Sequence, residues 1–202
     1  MNATDKKTQS EITPDKGIQL LKEGNRRFIK SKQASHEFSR EMKATTQGQY
    51  PYASILSCID SRVPAEIVFD QGIGDLFSTR IAGNVISNDV LGSLEFGAEL
   101  AGAKLIVVLG HTSCGAVTGA CNNVKAGNLT GLLAKIKPAI EKTERKEDEK
   151  IFINAVSKNN VAESIAEIRH RSEILKGLED QGTIRIIGAM YDIHTGAVEF
   201  YE

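Results

Sequence analysis

An unbroken apolar run at residues 104–109 (KLIVVL) constrains the fold more than any other feature of the chain. Glycines lie close on either side of it, and its apolar residues do not alternate with polar ones. A strand with one face in water alternates, whereas a strand covered on both faces reads as continuous apolar residues. The run is also far too short to span a bilayer, which takes about 20 apolar residues. We therefore predict a buried strand of a parallel sheet.

Other strand and helix patterns alternate along the chain. Strand-like segments occupy residues 52–57, part of 75–84, residues 183–190 and, as an edge strand, the closing AVEFYE. Helical patterns occupy residues 16–30, a segment from Ser87 or Asn88 to about 101, and residues 160–176 between an asparagine cap and Gly177. This alternation predicts an α/β fold, a mostly parallel central sheet flanked by helices, with an N-terminal helical arm at about residues 16–31. The length suits a single domain over residues 1–202.

Composition limits the partners that the chain can have. The formal net charge is −1, with 41% hydrophobic and 25% charged residues, so no strong field favours nucleic acid or an anionic membrane. The first residues carry no apolar secretory signal, and we expect a soluble, cytoplasmic protein. Three cysteines form an odd set, which here favours reduced thiols with a metal-binding or catalytic role over disulfides.

Residues with metal-binding chemistry follow two of the predicted strands directly. CIDSR begins at Cys58, after the strand at 52–57, and HTSC begins at His111, after the strand at 104–109. Open α/β sheets bind ligands beyond the carboxyl ends of their strands, so both motifs can reach one crevice. Cys58, His111 and Cys114 would supply three zinc ligands and leave a fourth position open for water. Cys121 has no further ligand residue near it in sequence and is expected to be a buried free thiol.

Asp60 and Arg62 are two further candidate residues of this site. Asp60 could be a fourth zinc ligand, or it could stand beside the metal and bond to the bound water. The planar fork of Arg62, two residues on, could hold the carboxylate off the metal and keep it ionised. Gly115 opens a predicted helix whose first amides would favour the Cys114 thiolate.

The paired motifs resemble the signature of β-class carbonic anhydrases, in CIDSRV at 58–63 and GHTSCGAV at 110–117. The resemblance extends over nearly the whole chain, through LLKEGNRRF at 20–28, RIAGNV at 80–85 and GAMYDIHTGAVEF at 188–200. It implies a zinc lyase that interconverts carbon dioxide and bicarbonate. It also implies a homodimer or a tetramer, in which the N-terminal helix embraces the neighbouring subunit.

The resemblance also implies roles for individual residues. Cys58, His111 and Cys114 match the zinc ligands, and Asp60 and Arg62 match a catalytic dyad that orients zinc-bound hydroxide. The remaining matches concern substrate binding: the amide of Gly115 faces the substrate, and Phe77, Ala82 and Phe96 line an apolar pocket, some of them from the neighbouring subunit.

The subtype depends on three further positions. Gln49, nine residues before Cys58, matches a substrate-binding glutamine of plant-like members. Ile55 stands where allosteric bacterial members carry a tryptophan beside a non-catalytic bicarbonate site, although Arg80 remains. These positions favour the plant-like, non-allosteric subtype.

Two alternative functions stay open on the sequence alone. One is a hydrolase of carbon disulfide or carbonyl sulfide built on the same zinc site. The other is a non-catalytic zinc protein in which Asp60 permanently closes the fourth position. Arg62 argues against the second, because it gives Asp60 another partner.

Overall fold

A central five-stranded sheet organises the computed structural model, which describes residues 3–201. The strand order is β2-β1-β3-β4-β5; the first four strands are parallel, and β5 runs antiparallel at one edge. The strands are β1 (Ala53–Ser57), β2 (Leu76–Arg80), β3 (Leu105–His111), β4 (Arg185–Tyr191) and β5 (Val198–Tyr201). The predicted α/β class with a mostly parallel sheet is confirmed.

Helices connect these strands and cover both faces of the sheet. They are α1 (Lys6–Glu11), α2 (Pro14–Ile29), α3 (Phe38–Ala44), α4 (Ala65–Val68), α5 (Asn88–Glu95), α6 (Gly115–Cys121), α7 (Gly127–Ala134), α8 (Lys137–Glu141), α9 (Glu149–Arg171) and α10 (Glu173–Asp180). A 3₁₀ turn spans Ala82–Asn84, and α5 continues into a π-helical turn at Phe96–Leu100. Within residues 3–201, no helix combines the length and the apolar character needed to cross a membrane.

β3 lies at the centre of the core, and all seven of its residues are buried. Successive residues of a strand point to opposite faces, so β3 supplies side chains to two clusters. On one face Val107 packs in a cluster with Leu21 of α2. On the other face Val108 packs in a cluster with Leu94 of α5 and Val161 of α9. The apolar run at 104–109 is therefore a doubly covered strand, as predicted.

Strand β3 continues two residues beyond the predicted end at residue 109. Gly110 and His111 still pair with β4, opposite Met190 and Tyr191. A Cβ atom on Gly110 would lie only 2.6 Å from Cγ2 of Val161. Glycine at this position therefore lets α9 approach the end of the strand that carries His111.

The predicted helix at residues 160–176 has the wrong boundaries. It is the second half of the longer α9, followed by the separate helix α10. The residue that caps α9 is Asp148, whose carboxylate accepts the Ile151 N–H at 2.9 Å. Asn160 lies inside the helix, and Gly177 lies inside α10 rather than after it. Residues 31–50, whose sequence predicts no helix or strand, contain α3.

The start of β4 is protected by an ion pair instead of a strand. β5 pairs only with residues 188–191 of β4. At Ile186 the Glu179 carboxylate accepts the main-chain N–H at 3.1 Å, and Arg169 donates to the carbonyl oxygen at 3.1 Å. Arg169 and Glu179 are joined by two hydrogen bonds of 2.7 and 2.8 Å. One side-chain pair thus occupies both main-chain groups of Ile186.

Candidate metal centre

The ends of two neighbouring strands bring three potential metal ligands together. β1 and β3 are adjacent and parallel, so their carboxyl ends meet at one edge of the sheet. Cys58 follows β1, His111 ends β3, and Cys114 precedes α6. Their two sulfur atoms and one imidazole nitrogen lie within 4.8 Å of one another, and all three residues are buried. The fold therefore places both sequence motifs at one buried point.

The hydrogen bonding of the His111 ring indicates whether a metal would fit. Nδ1 lies 2.9 Å from the carbonyl oxygen of Thr112, so Nδ1 carries the proton and Nε2 presents a lone pair. Within the part of the chain that the structure describes, this buried Nε2 has no hydrogen-bond partner. An unpaired buried polar atom costs about 1–3 kcal/mol. A metal ion would pair it, and one imidazole with two cysteine sulfurs is a donor set that suits zinc.

The two cysteine sulfurs influence each other strongly. Their Sγ atoms lie 4.0 Å apart. Hydrogen bonding between them lowers the pKa of Cys58 well below the ordinary thiol value, with further help from the Gly83 N–H, which donates to the Cys58 sulfur at 3.3 Å. The same hydrogen bond, together with burial, raises the pKa of Cys114. Cysteine binds a metal as the thiolate, so metal binding at this pair would release protons.

Arg62 holds the Asp60 carboxylate beside the cluster. The guanidinium donates from Nε to Oδ1 at 2.9 Å and from Nη2 to Oδ2 at 2.7 Å, and the Arg62 main-chain N–H donates to Oδ1 at 3.0 Å. The side-chain hydrogen bond from Arg62 is the largest cause of the fall in the pKa of Asp60 to about 2. Oδ2 of Asp60 lies 4.0 Å from Nε2 of His111. The carboxylate is thus ionised, close to the ligands and held by Arg62.

Arg80 fixes the main chain around the same loop. Its Nε donates to the Cys58 carbonyl oxygen at 3.0 Å, and its Nη2 donates to the Asp60 carbonyl oxygen at 2.5 Å. Sequence reasoning considered Arg80 only for a regulatory bicarbonate site and missed this clamp. These two bonds join Arg80 to residues that lie 22 and 20 positions earlier in the chain, and no local motif reveals contacts over such separations.

Two buried polar residues of α9 hold the turn that touches Cys58. Nδ2 of Asn160 donates to the Gly83 carbonyl oxygen at 2.7 Å, and Oγ of Ser164 donates to the Asn84 carbonyl oxygen at 3.0 Å. Sequence reasoning missed both residues. Their position was the available signal. Apolar residues recur at every fourth position along one face of the helix, and Asn160 and Ser164 are polar residues within that stripe.

The proposed substrate-binding residues divide into two groups within one chain. Ala82 belongs to the 3₁₀ turn beside Cys58, and Gly115 opens α6 next to Cys114. Phe77 pairs with Ser54 in the sheet, about 13 Å along the strand from the level of Cys58. Phe77 packs against Phe96 of the π turn, with ring centroids 6.1 Å apart.

Gln49 lies outside this arrangement. It is exposed and precedes the amino end of β1, whereas the cluster lies beyond the carboxyl end. One chain therefore does not bring Gln49, Phe77 or Phe96 into contact with the cysteine–histidine cluster.

Comparison with known proteins identifies sequence relatives. The family model "Carbonic anhydrase" matches residues 53–198. Carbonic anhydrase 2 of Mycobacterium tuberculosis is 37% identical over 182 residues, which are 87% of each chain. The carbonic anhydrase of Mycolicibacterium smegmatis is 38% identical over 186 residues, which are 89% of each chain.

Solved structures share the fold at lower sequence identity. A tetrameric β-carbonic anhydrase of Sordaria macrospora superposes with a TM-score of 0.73 at 23% identity, covering 79% of this chain and 84% of that one. The Coccomyxa β-carbonic anhydrase gives 0.73 at 24% identity, covering 88% and 83%. At these identities the likeness concerns the architecture alone.

Proposed function

Since the chain belongs to the β-class carbonic anhydrases and is an enzyme of that family, we propose that it reversibly hydrates carbon dioxide to bicarbonate and a proton at a zinc ion. Cys58, His111 and Cys114 would hold the zinc. The observation that carries this proposal is the buried, unpaired Nε2 of His111 beside two buried cysteine sulfurs. A zinc ion in this donor set would make a bound water acidic enough to act as a nucleophile near neutral pH.

Asp60 and Arg62 act on the nucleophile in this proposal. Ionised Asp60 can accept a hydrogen bond from it and so direct its lone pair at the carbon of carbon dioxide. Arg62 keeps the carboxylate charged and holds both of its oxygens by hydrogen bonds. This contact supports an open fourth ligand position over one that is permanently closed by Asp60.

Ala82 and Gly115 form the near wall of the substrate site in this proposal. A Cβ on Gly115 would meet no other atom within 4 Å, so there is room beside its main chain for a small molecule. The Gly115 amide would donate to a substrate oxygen. Both residues belong to elements that adjoin the cluster, which supports their role in binding carbon dioxide and bicarbonate.

A second copy of the chain would complete the pocket. Gln49, Phe77 and Phe96 are remote from the cluster of their own chain, and we propose that they serve a neighbouring one in a homodimer or a tetramer. Exposed apolar side chains support such an interface: Ile67 belongs to α4, which contacts the edge strand β2, and Phe96 and Leu100 belong to the π turn, which contacts β2 through Phe77.

The non-allosteric, plant-like subtype is supported by Arg80 and Ile55. The guanidinium of Arg80 already donates to two main-chain carbonyls, and the side chain of Ile55 is fully buried in the core. We propose that bicarbonate inhibits only as a product, without cooperativity. A sigmoidal inhibition curve would contradict this. Because Cys58 and Cys114 must stay reduced to bind metal, we also propose a cytoplasmic location.

Metal analysis combined with stopped-flow carbon dioxide hydration tests the proposed function. We expect one zinc per chain and hydration activity in the wild-type protein, and loss of both in Cys58→Ser. Cys121→Ser is the matched control and should keep both, because Cys121 is not one of the three residues whose ligand atoms converge. Full zinc occupancy in Cys58→Ser would overturn the ligand assignment. Hydrolysis of carbon disulfide by a protein that cannot hydrate carbon dioxide would favour the hydrolase instead.

A further inference from the structure

We propose that Asn160 is a positioning residue for the metal centre, because it fixes the turn that presents the Gly83 N–H to the Cys58 sulfur. The inference deepens the proposed function and rests on Cys58 being a metal ligand. Asn160 lies 102 positions from Cys58 in the chain and is connected to it through Gly83.

The turn at Ala82–Asn84 has a conformation that needs external support. Gly83 has φ of 68° and Asn84 has φ of 43°, both in the left-handed region. A non-glycine residue there is uncommon, and such a conformation persists when surrounding contacts hold it. A Cβ on Gly83 would also lie 2.9 Å from Cδ1 of Ile136, so a larger residue there would have to displace that side chain.

Helix α9 supplies that support through two side chains one turn apart. Asn160 binds the Gly83 carbonyl and Ser164 binds the next carbonyl, that of Asn84. Both residues are buried, with Asn160 only 2% exposed, on a face shared with the fully buried Val156 and Ile168. A buried amide is unfavourable unless it is hydrogen-bonded, and asparagine is a poor helix former. The bond to Gly83 offsets these costs.

The same helix is anchored to the strand that carries another proposed ligand. Val161, next to Asn160, packs against Gly110, so closely that no Cβ would fit there. Gly110 immediately precedes His111. One rigid helix therefore sets the distance between the end of β3 and the turn that contacts Cys58.

The bond from Gly83 to the sulfur has a chemical consequence. An N–H that donates to a thiolate withdraws electron density and makes the sulfur a weaker donor to the metal. A site with two thiolates has less Lewis acidity than one with neutral ligands, so hydrogen bonds to the sulfurs matter for its reactivity. Loss of Asn160 would let the turn relax and weaken this bond.

Cobalt substitution reports on the metal-bound sulfurs, of which the Cys58 sulfur is the one that accepts the Gly83 N–H. In the full-length protein loaded with Co²⁺, thiolate ligands give a sulfur-to-cobalt charge-transfer band in the near ultraviolet. We expect this band to move to lower energy in Asn160→Leu and in Asn160→Ala, because the sulfur becomes more electron-rich. In the zinc proteins, kcat for carbon dioxide hydration should fall by roughly 10-fold or more at equal metal content.

Ser157→Ala is the matched control. Ser157 is buried one turn earlier in α9, and its hydroxyl bonds to the Ile153 carbonyl within the helix. This variant should keep the wild-type band and a kcat within about twofold of wild type, whatever its melting temperature. The alanine variant at Asn160 supplies the answer if the leucine variant does not fold.

The possible outcomes distinguish a failure of this inference from a failure of the proposed function on which it rests. Unchanged bands in folded Asn160 variants, with or without lower activity, would overturn the positioning role. A shift of the same size in Ser157→Ala would overturn it too, since any damage to α9 would then suffice. Absence of a charge-transfer band from the wild-type cobalt protein would instead refute Cys58 as a ligand, and the proposed function with it.

Discussion

At the scale of single residues, Arg62 determines both the charge and the position of Asp60. It is itself about half exposed, yet it binds both carboxylate oxygens. We predict that Arg62→Ala retains its metal but loses hydration activity by roughly 10–100-fold, because the released carboxylate can turn towards the ligands. Metal analysis and stopped-flow assays measure the two quantities. Arg40→Ala removes only an exposed ion pair with Glu37 and should behave as wild type; normal turnover in Arg62→Ala would exclude the dyad.

The pKa of Asp60 gives a separate prediction. Its value of about 2 lies below the ordinary carboxyl value near 4. Because the folded pKa is lowered, the contribution of Asp60 to stability is complete above about pH 4 and is lost as pH falls towards 2. Asp60 therefore stays ionised throughout the neutral and mildly acidic range. Carboxyl carbon NMR should show no Asp60 titration above pH 4 in the wild type and a higher midpoint in Arg62→Ala; a wild-type midpoint near 5 would contradict the assignment.

At the scale of elements, contact between α9 and β3 depends on Gly110. A Cβ there would lie 2.6 Å from Cγ2 of Val161 and 3.0 Å from Sδ of Met190. We predict that Gly110→Ala lowers the free energy of unfolding by about 1–3 kcal/mol through overpacking, measured by urea denaturation. Gly177→Ala in α10 is the control. No atom lies within 4 Å of its added Cβ, so a gain of about 0.5–1 kcal/mol is expected. Equal stability of Gly110→Ala and wild type would show that the helix can shift freely.

Sequence alone predicts the strands better than the helices for a physical reason. Strands buried on both faces have continuous apolar runs, and each such run predicts a strand near its actual place. In α9 an asparagine inside the helix is interpreted as a cap at its start, so the half of the helix that precedes Asn160 escapes recognition. The helices α7 and α8 are short, and no prediction covers them.

Some residues of the candidate site can likewise be predicted from sequence and others cannot. Cys58, Asp60 and Arg62 are close in sequence, as are His111, Cys114 and Gly115, so two local motifs contain their chemistry. The bond between Asn160 and Gly83 spans 77 positions. Contacts of that range arise only from tertiary packing, and a single sequence does not reveal them.

At the scale of the whole molecule, the exposed apolar side chains of the π turn lead to a prediction about assembly. Leu100 is 76% exposed at the end of the π turn, and Phe96 of the same turn is half exposed. We predict that the wild-type protein is at least a dimer by light scattering coupled to size exclusion, and that Leu100→Asp lowers its mass and its activity together. Ile151→Asp places the same charge at an exposed apolar position on α9 and should change neither. A monomeric, fully active wild type would refute the shared pocket.

The ion pair over Ile186 has a consequence for how copies of the protein avoid one another. The unpaired main-chain groups at the edge of a sheet are a template on which another peptide can add as a further strand. A peptide that added to this part of β4 would first have to break the hydrogen bonds between Arg169 and Glu179 and those that both side chains make to the main chain of Ile186. Arg169→Ala should accordingly aggregate faster under mild heating than wild type, at matched folded fraction, as turbidity would record. The folded protein carries a built-in barrier against open-ended polymerisation at the one stretch of β4 that β5 leaves bare.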